Sequence, residues 1–142
     1  MHTSLNEKYP SAKRPIVLFT DDEGTEVVRV GLRCGHSAIL NADDFHRLIV
    51  LGVSPNWFLN LDGAGQFPYV RAHMPAANGW TGNLVTIARL IRPVPFRGLT
   101  VRYLDGCALN LRRKNIYVAD RRSGAKGREW SLVKSSEIEL DA

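Results

Sequence analysis

The stretch Leu99–Val118 constrains this chain more than any other. It opens with a short β-branched run, Leu99–Tyr103, and turns at Leu104-Asp105-Gly106. It closes with a second short apolar run, Asn115–Val118. Asp-Gly is a strong turn signal, because Gly takes positive φ without steric cost. Between turn and second run lies a long basic loop that includes Asn110, Arg112, Arg113 and Lys114. Two short strands cannot hold such a loop in shape unaided. An Asn amide can help, because it donates twice and accepts twice and so bridges backbone groups otherwise left unpaired. The stretch therefore predicts a β-hairpin with a long loop, with Asp105, Gly106, Asn110 and Asn115 in structural roles.

These residues carry a family resemblance. The stretch resembles the core of the HNH endonucleases, in particular the phage and homing-type branch. The family pattern is a strand ending in Asp-His, an apolar residue, Asp/Asn-Gly, Leu-Asn or Leu-Asp, Arg-Arg, one more residue, and Asn-Leu. Here Leu104-Asp105-Gly106, Leu109-Asn110, Arg112-Arg113 and Asn115-Ile116 match. Val101-Arg102-Tyr103 stands where the family has Val-Asp-His. The resemblance implies that the His would be the general base and that the Asp and a later Asn would hold one divalent metal. Arg102 replaces the metal-binding acid, Tyr103 replaces the base, and the later Asn falls near Gly124. Asn115 corresponds to the central, structural Asn.

Elementary chemistry agrees that such a site is dead. A hard divalent cation wants oxygen ligands, preferably carboxylates, and a fixed guanidinium repels it. Tyr has a pKa of about 10 against about 6.5 for His, so it is a poor general base at pH 7. The expected fold is α+β, with small antiparallel sheets and short helices. Its C-terminal half is expected to be a ββα-metal, HNH-like fold without the metal site. The expected divisions are a β-hairpin extension over 1–36, a helix plus β-hairpin module over 37–82, a degenerate HNH-like core over 83–130, and an acidic tail over 131–142.

Charge points the same way. Residues 1–88 are nearly balanced, with seven Lys/Arg against eight Asp/Glu. Residues 89–128 hold eleven basic side chains and two acids, and they contain the HNH-like stretch. Clustered charge of this kind is the electrostatic footprint of nucleic-acid binding; its bland counterpart is a solvated basic face. No apolar run approaches the roughly 18 residues of a membrane span. The polar N-terminus reads as a flexible lead-in rather than a signal peptide. Two cysteines, Cys34 and Cys107, supply no framework for disulfides or zinc, so a cytoplasmic, reducing home is the default.

Along the chain, Pro15–Phe19 and Thr25–Leu32 predict a hairpin around Asp21-Asp22-Glu23-Gly24, and Ser37–Leu40 a third strand. This front part holds most of the acids outside the tail, so it is not expected to face DNA. Asn41 reads as an N-cap and Gly52 as the C′ residue of a helix with Phe45, Leu48 and Ile49 on its apolar face. Trp57–Leu61 and Phe67–Ala72 read as strands around a turn at Asp62–Gly65. This order resembles, more weakly, the three-stranded DNA-binding domain of plant ethylene-response regulators. In that likeness Arg71 is the best-placed groove contact and Trp57 the second, although Trp57 reads more readily as core. Trp80 lies in a loop over Met74–Gly82. Asn83–Arg92 reads as an apolar strand leading into a short helix that Pro93 and Pro95 end, with Ala88 where the family has His.

The leading expectation is a nucleic-acid-binding protein on a catalytically inactive HNH-like scaffold, of phage or mobile-element type and with a regulatory role. Its partner is duplex DNA, contacted through Arg71, Arg102, Arg112, Arg113, Lys114, Arg121, Arg122 and Lys126. No cofactor, metal or membrane is expected. Two alternatives stand beside it. One is an active endonuclease recruiting Asp105, Asp120, His73 or Glu129. The other is a module that binds a host protein and modulates or inhibits a nucleic-acid machine.

Overall fold

The computed structural model describes residues 2–60, 68–75, 82–94 and 98–120. Its first β-branched runs pair as antiparallel strands. β2 (Ile16–Thr20) meets β3 (Glu26–Gly31), in register from Ile16↔Val30 to Thr20↔Glu26. β4 (Ser37–Asn41) pairs with the other edge of β3. The N-terminal residues, expected to be a flexible lead-in, instead supply β1 (Thr3–Ser4). Asn6 explains this. Its amide donates to the Arg14 carbonyl (2.9 Å) and accepts from the Ile16 N–H (2.9 Å), stitching the segment to β2.

The front sheet thus has the order β1-β2-β3-β4. A second sheet holds β5 (Phe58–Asn60), β6 (Tyr69–Met74) and β7 (Asn83–Thr86), in that order. A third pairs β8 (Leu99–Tyr103) with β9 (Ile116–Asp120). The divisions expected at 36/37 and 82/83 each fall between paired strands, β3 with β4 and β6 with β7. The chain is α+β, with small antiparallel sheets and short helices.

Helix α1 (Ala42–Leu51) begins and ends where its cap residues place it. Gly52 takes φ 108°, and its N–H and that of Val53 close onto the last turn. Asn41 occupies the N-cap position, but its side chain does not cap the helix. Its Oδ1 accepts instead from the Arg113 N–H, 2.9 Å away on the basic loop. Helix α2 (Ile87–Ile91) follows β7 directly, just before Pro93.

Trp57 is fully buried, as its core reading expected. Its indole N–H donates to the Ser54 carbonyl (2.8 Å), which satisfies the one polar atom it carries into the core. It packs on Phe45, which in turn meets the edge of Tyr9. The core is continuous: Val30 and Leu40 of the front sheet, Leu48 of α1, Val70 and Ala72 of β6, Ile87 of α2, and Leu111 and Ile116 of the hairpin belong to one cluster. Among the described residues no helix is long and apolar enough to cross a membrane.

Candidate nucleic-acid interface

The β8–β9 hairpin positions the residues singled out by sequence. Its register runs from Leu99↔Asp120 to Tyr103↔Ile116, so the loop spans everything from Leu104 to Asn115. Gly106 takes φ 76° in the turn. A 3₁₀ turn at Arg113–Asn115 leads into β9.

Three side chains hold the loop. Asn115 is buried, and its amide nitrogen donates to Asp105 Oδ1 (2.9 Å) and to the Asn110 carbonyl (2.8 Å). Its Oδ1 accepts from the Asp105 N–H (3.1 Å). Asp105 also accepts from the Cys107 N–H (2.8 Å) and from Asn110 Nδ2 (2.9 Å). The loop is pinned along its length as the Asn residues predicted, and the Asp105 carboxylate is engaged in the turn on both oxygens.

The loop is also docked. Ile39 lies on the open edge of β4, and its N–H and carbonyl bond to the Leu109 carbonyl (2.9 Å) and the Leu111 N–H (2.7 Å). An edge strand leaves a row of backbone groups unpaired, and here the loop uses that row. The side chain of Leu111 is thereby carried into the core.

Arg102 and Tyr103 stand at the end of β8. Arg102 faces Tyr117 across the hairpin, is half-buried, and has a buried Nε with no hydrogen-bond partner among the described residues. Burial pushes the Tyr117 hydroxyl above its ordinary value, while the Arg102 charge pulls the other way. The Tyr103 hydroxyl is pushed up to about 12, first by burial and then by the nearby Cys107 charge. A phenol held neutral to that pH cannot take a proton from water at neutral pH. The guanidinium and phenol at these positions do not fit a divalent cation. Among the described residues no group of three or more His, Cys, Asp or Glu is placed to hold one.

The basic loop meets the acids of the front half, a pairing not read from the sequence. Arg113 makes a two-pronged contact with Asp44: Nε lies 2.9 and 3.0 Å from the two carboxylate oxygens, and a terminal nitrogen lies 2.6 Å from Oδ1. Asp44 is fully buried on α1 and also accepts from Arg47 (3.1 Å). The hydrogen bond to Asp44, and then its charge, raise the Arg113 pKa further. Arg112 donates to Asn110 Oδ1 (3.0 Å) and reaches Asp21 Oδ2 at 3.4 Å. Lys114 pairs with Glu23 at 2.7 Å. Asp21, Glu23 and Asp44 of the front half thus face this loop.

Arg71 lies elsewhere, on the middle strand of the second sheet. It is opposite Phe58 on β5 and Thr86 on β7, so these three share a face. The guanidinium sits 5.9 Å from the Tyr69 ring centroid and donates to the Leu84 carbonyl (3.3 Å), while its Nε is buried without a partner among the described residues. Arg33 lies 5.6 Å above Phe58, whose ring also meets His73. Among the described residues, neither Arg33, Arg71 nor Arg102 has a carboxylate within ion-pair distance. Arg121, Arg122, Gly124, Lys126, Glu129, Trp80 and the Asp62–Gly65 turn lie outside the described residues. Of the other acid–base candidates, His73 is exposed on β6 and Asp120 is exposed at the end of β9.

Sequence reading missed the roles of Asn6, Asn41, Asn56 and Asp44. Asn56, for instance, accepts from the Lys13 N–H (2.8 Å) and donates to the Ser11 carbonyl (3.0 Å). A local signal existed only for Asp44, whose i−4 and i+4 neighbours Leu40 and Leu48 are apolar and buried. Compared with protein-family models, with curated proteins and with solved structures, the chain finds no match.

Proposed function

We propose that this chain is a nucleic-acid-binding protein built on an HNH-endonuclease-like scaffold that has lost its catalytic residues. Its partner on this reading is duplex DNA. The hairpin with its Asp105–Asn110–Asn115 network supports the scaffold, and the Arg102–Tyr103 pair in place of acid and base supports the loss of cutting.

The observation that carries the binding reading is the division of the cations. Arg112, Arg113 and Lys114 are matched one by one with Asp21, Asp44 and Glu23. Arg71 and Arg102 have no such partner among the described residues. Between Asp44 and Asp105 the sequence holds one acid, Asp62, against six Arg. Arg121, Arg122 and Lys126 follow β9 directly in the sequence. Uncompensated cations gain from releasing the counterions of a polyanion, and phosphate contacts give affinity without sequence information.

The test is salt-dependent binding to a duplex oligonucleotide, read by fluorescence anisotropy. Contacts from Arg71, Arg102, Arg121, Arg122 and Lys126 give an expected log–log slope of about −4.5. A flat salt response, or no binding at low salt, overturns the proposal.

A further inference from the structure

Not all three ion pairs on the basic loop are of one kind. The Arg113–Asp44 pair is two-pronged and its carboxylate is fully buried, so it is part of the fold. The other two are single contacts, and neither carboxylate is fully buried. The Arg112–Asp21 contact is long, at 3.4 Å, with side chains 23% and 11% exposed. Lys114 and Glu23 are 32% and 34% exposed. Ion pairs with a single contact contribute less than two-pronged ones on a buried carboxylate, with typical values of about 0–1 kcal/mol where both partners reach water.

Both single-contact pairs border one cavity of about 220 Å³, lined by Asp21, Glu23, Thr25, Asn41, Arg112, Arg113 and Lys114. The two acids come from a single turn that can deliver them together. Asp21 Oδ1 accepts from the Glu23 and Thr25 N–H groups (3.0 and 2.9 Å), which fixes the turn and leaves Oδ2 aimed at Arg112. Burial opposes ionisation of Asp21, yet those backbone bonds and the Lys114 and Arg112 charges hold its carboxyl below the ordinary value. Thr25 and Asn41 add polar groups to the same walls.

We infer that Arg112 and Lys114 form a latent site for backbone phosphates of duplex DNA, closed in this structure by Asp21 and Glu23 acting as built-in phosphate mimics. Two carboxylates on the β2–β3 turn occupy the positions that phosphate oxygens would take. The inference rests on the nucleic-acid reading and deepens it: the loop's cations join the interface only when the turn releases them.

The test compares duplex-DNA binding by the wild type, by Asp21→Asn/Glu23→Gln, and by Asp22→Asn/Glu26→Gln. The last removes the same formal charge from the same hairpin but breaks no ion pair among the described residues. Asn at 21 keeps the Oδ1 acceptor that builds the turn. If the mimicry is real, the first double variant binds about tenfold tighter than the wild type at low salt. Its salt slope steepens by about 1.8, the value for two added phosphate contacts. The matched control keeps the wild-type slope, and adding Lys114→Gln to the first variant removes half of the gain. Glu23→Gln alone, on the more exposed pair, gives about half of the steepening and stands in if Asp21→Asn impairs folding. Equal slopes for both double variants, with the wild type still binding, overturn this inference and leave the nucleic-acid reading standing. No binding by any of the proteins overturns both.

Discussion

Asn115 shows how much one side chain decides here. It ties the turn, the loop and the start of β9 together while itself buried, and its partners Asp105 and Asn110 are in turn bonded to each other. Removing its amide leaves the Asn110 carbonyl and the Asp105 N–H without their partner in a half-buried setting. Each group so stranded costs about 1–3 kcal/mol. Asn115→Ala is therefore expected to lower the unfolding free energy by about 3 kcal/mol, read by urea denaturation. A loss under about 1 kcal/mol would mean that water replaces the network without cost.

The elements are short, and what joins them is backbone pairing outside the sheets. The clearest case is the edge of β4. Ile39 points its N–H and carbonyl away from β3 and into the hairpin loop, so the loop is held by two bonds that the front sheet does not need. Ile39→Pro removes the N–H, and proline is tolerated at a strand edge where the lost donor faces away from the ladder. Hydrogen exchange is expected to speed up at the Leu111 and Asn115 amides by at least tenfold while the β2–β3 amides keep their protection. Loss of protection across β2 and β3 as well would show that the loop is integral to the front sheet.

At the scale of the whole molecule, the described residues are tied together from the front sheet to the hairpin. One core cluster draws on all three sheets and both helices, and Arg113 joins the hairpin loop to the buried Asp44 of α1. Such a layout predicts one cooperative transition rather than separate melting of the front half and the hairpin. Removing Arg113 leaves the fully buried Asp44 carboxylate with Arg47 as its remaining ion-pair partner among the described residues, and a buried charge that loses a partner is costly. Arg113→Ala is expected to lower stability by about 1–3 kcal/mol, and the transition stays single when followed by both tryptophan fluorescence and far-ultraviolet circular dichroism. Two separated transitions would assign the pair a local role only.

Much of this was legible in the chain as written. The strand runs, the Asp-Gly turn, the helix between Asn41 and Gly52, and the bridging role of Asn115 all rest on contacts within about a dozen residues. Periodicity, turn chemistry and a single amide's bonding capacity report such contacts. Sequence order also determined the charge block and the place of Arg102 and Tyr103 at the end of a strand. Tertiary structure alone decided where those charges go. Asp21, Glu23 and Asp44 lie roughly 70 to 90 positions from the cations they neutralise, and nothing in local pattern encodes a pairing at that distance. The same holds for Asn41, a helix cap by its position and a loop anchor by its bond. A side chain's preference is local, but its partner is set by how the sheets pack, and that packing is the sum of many burials spread along the chain.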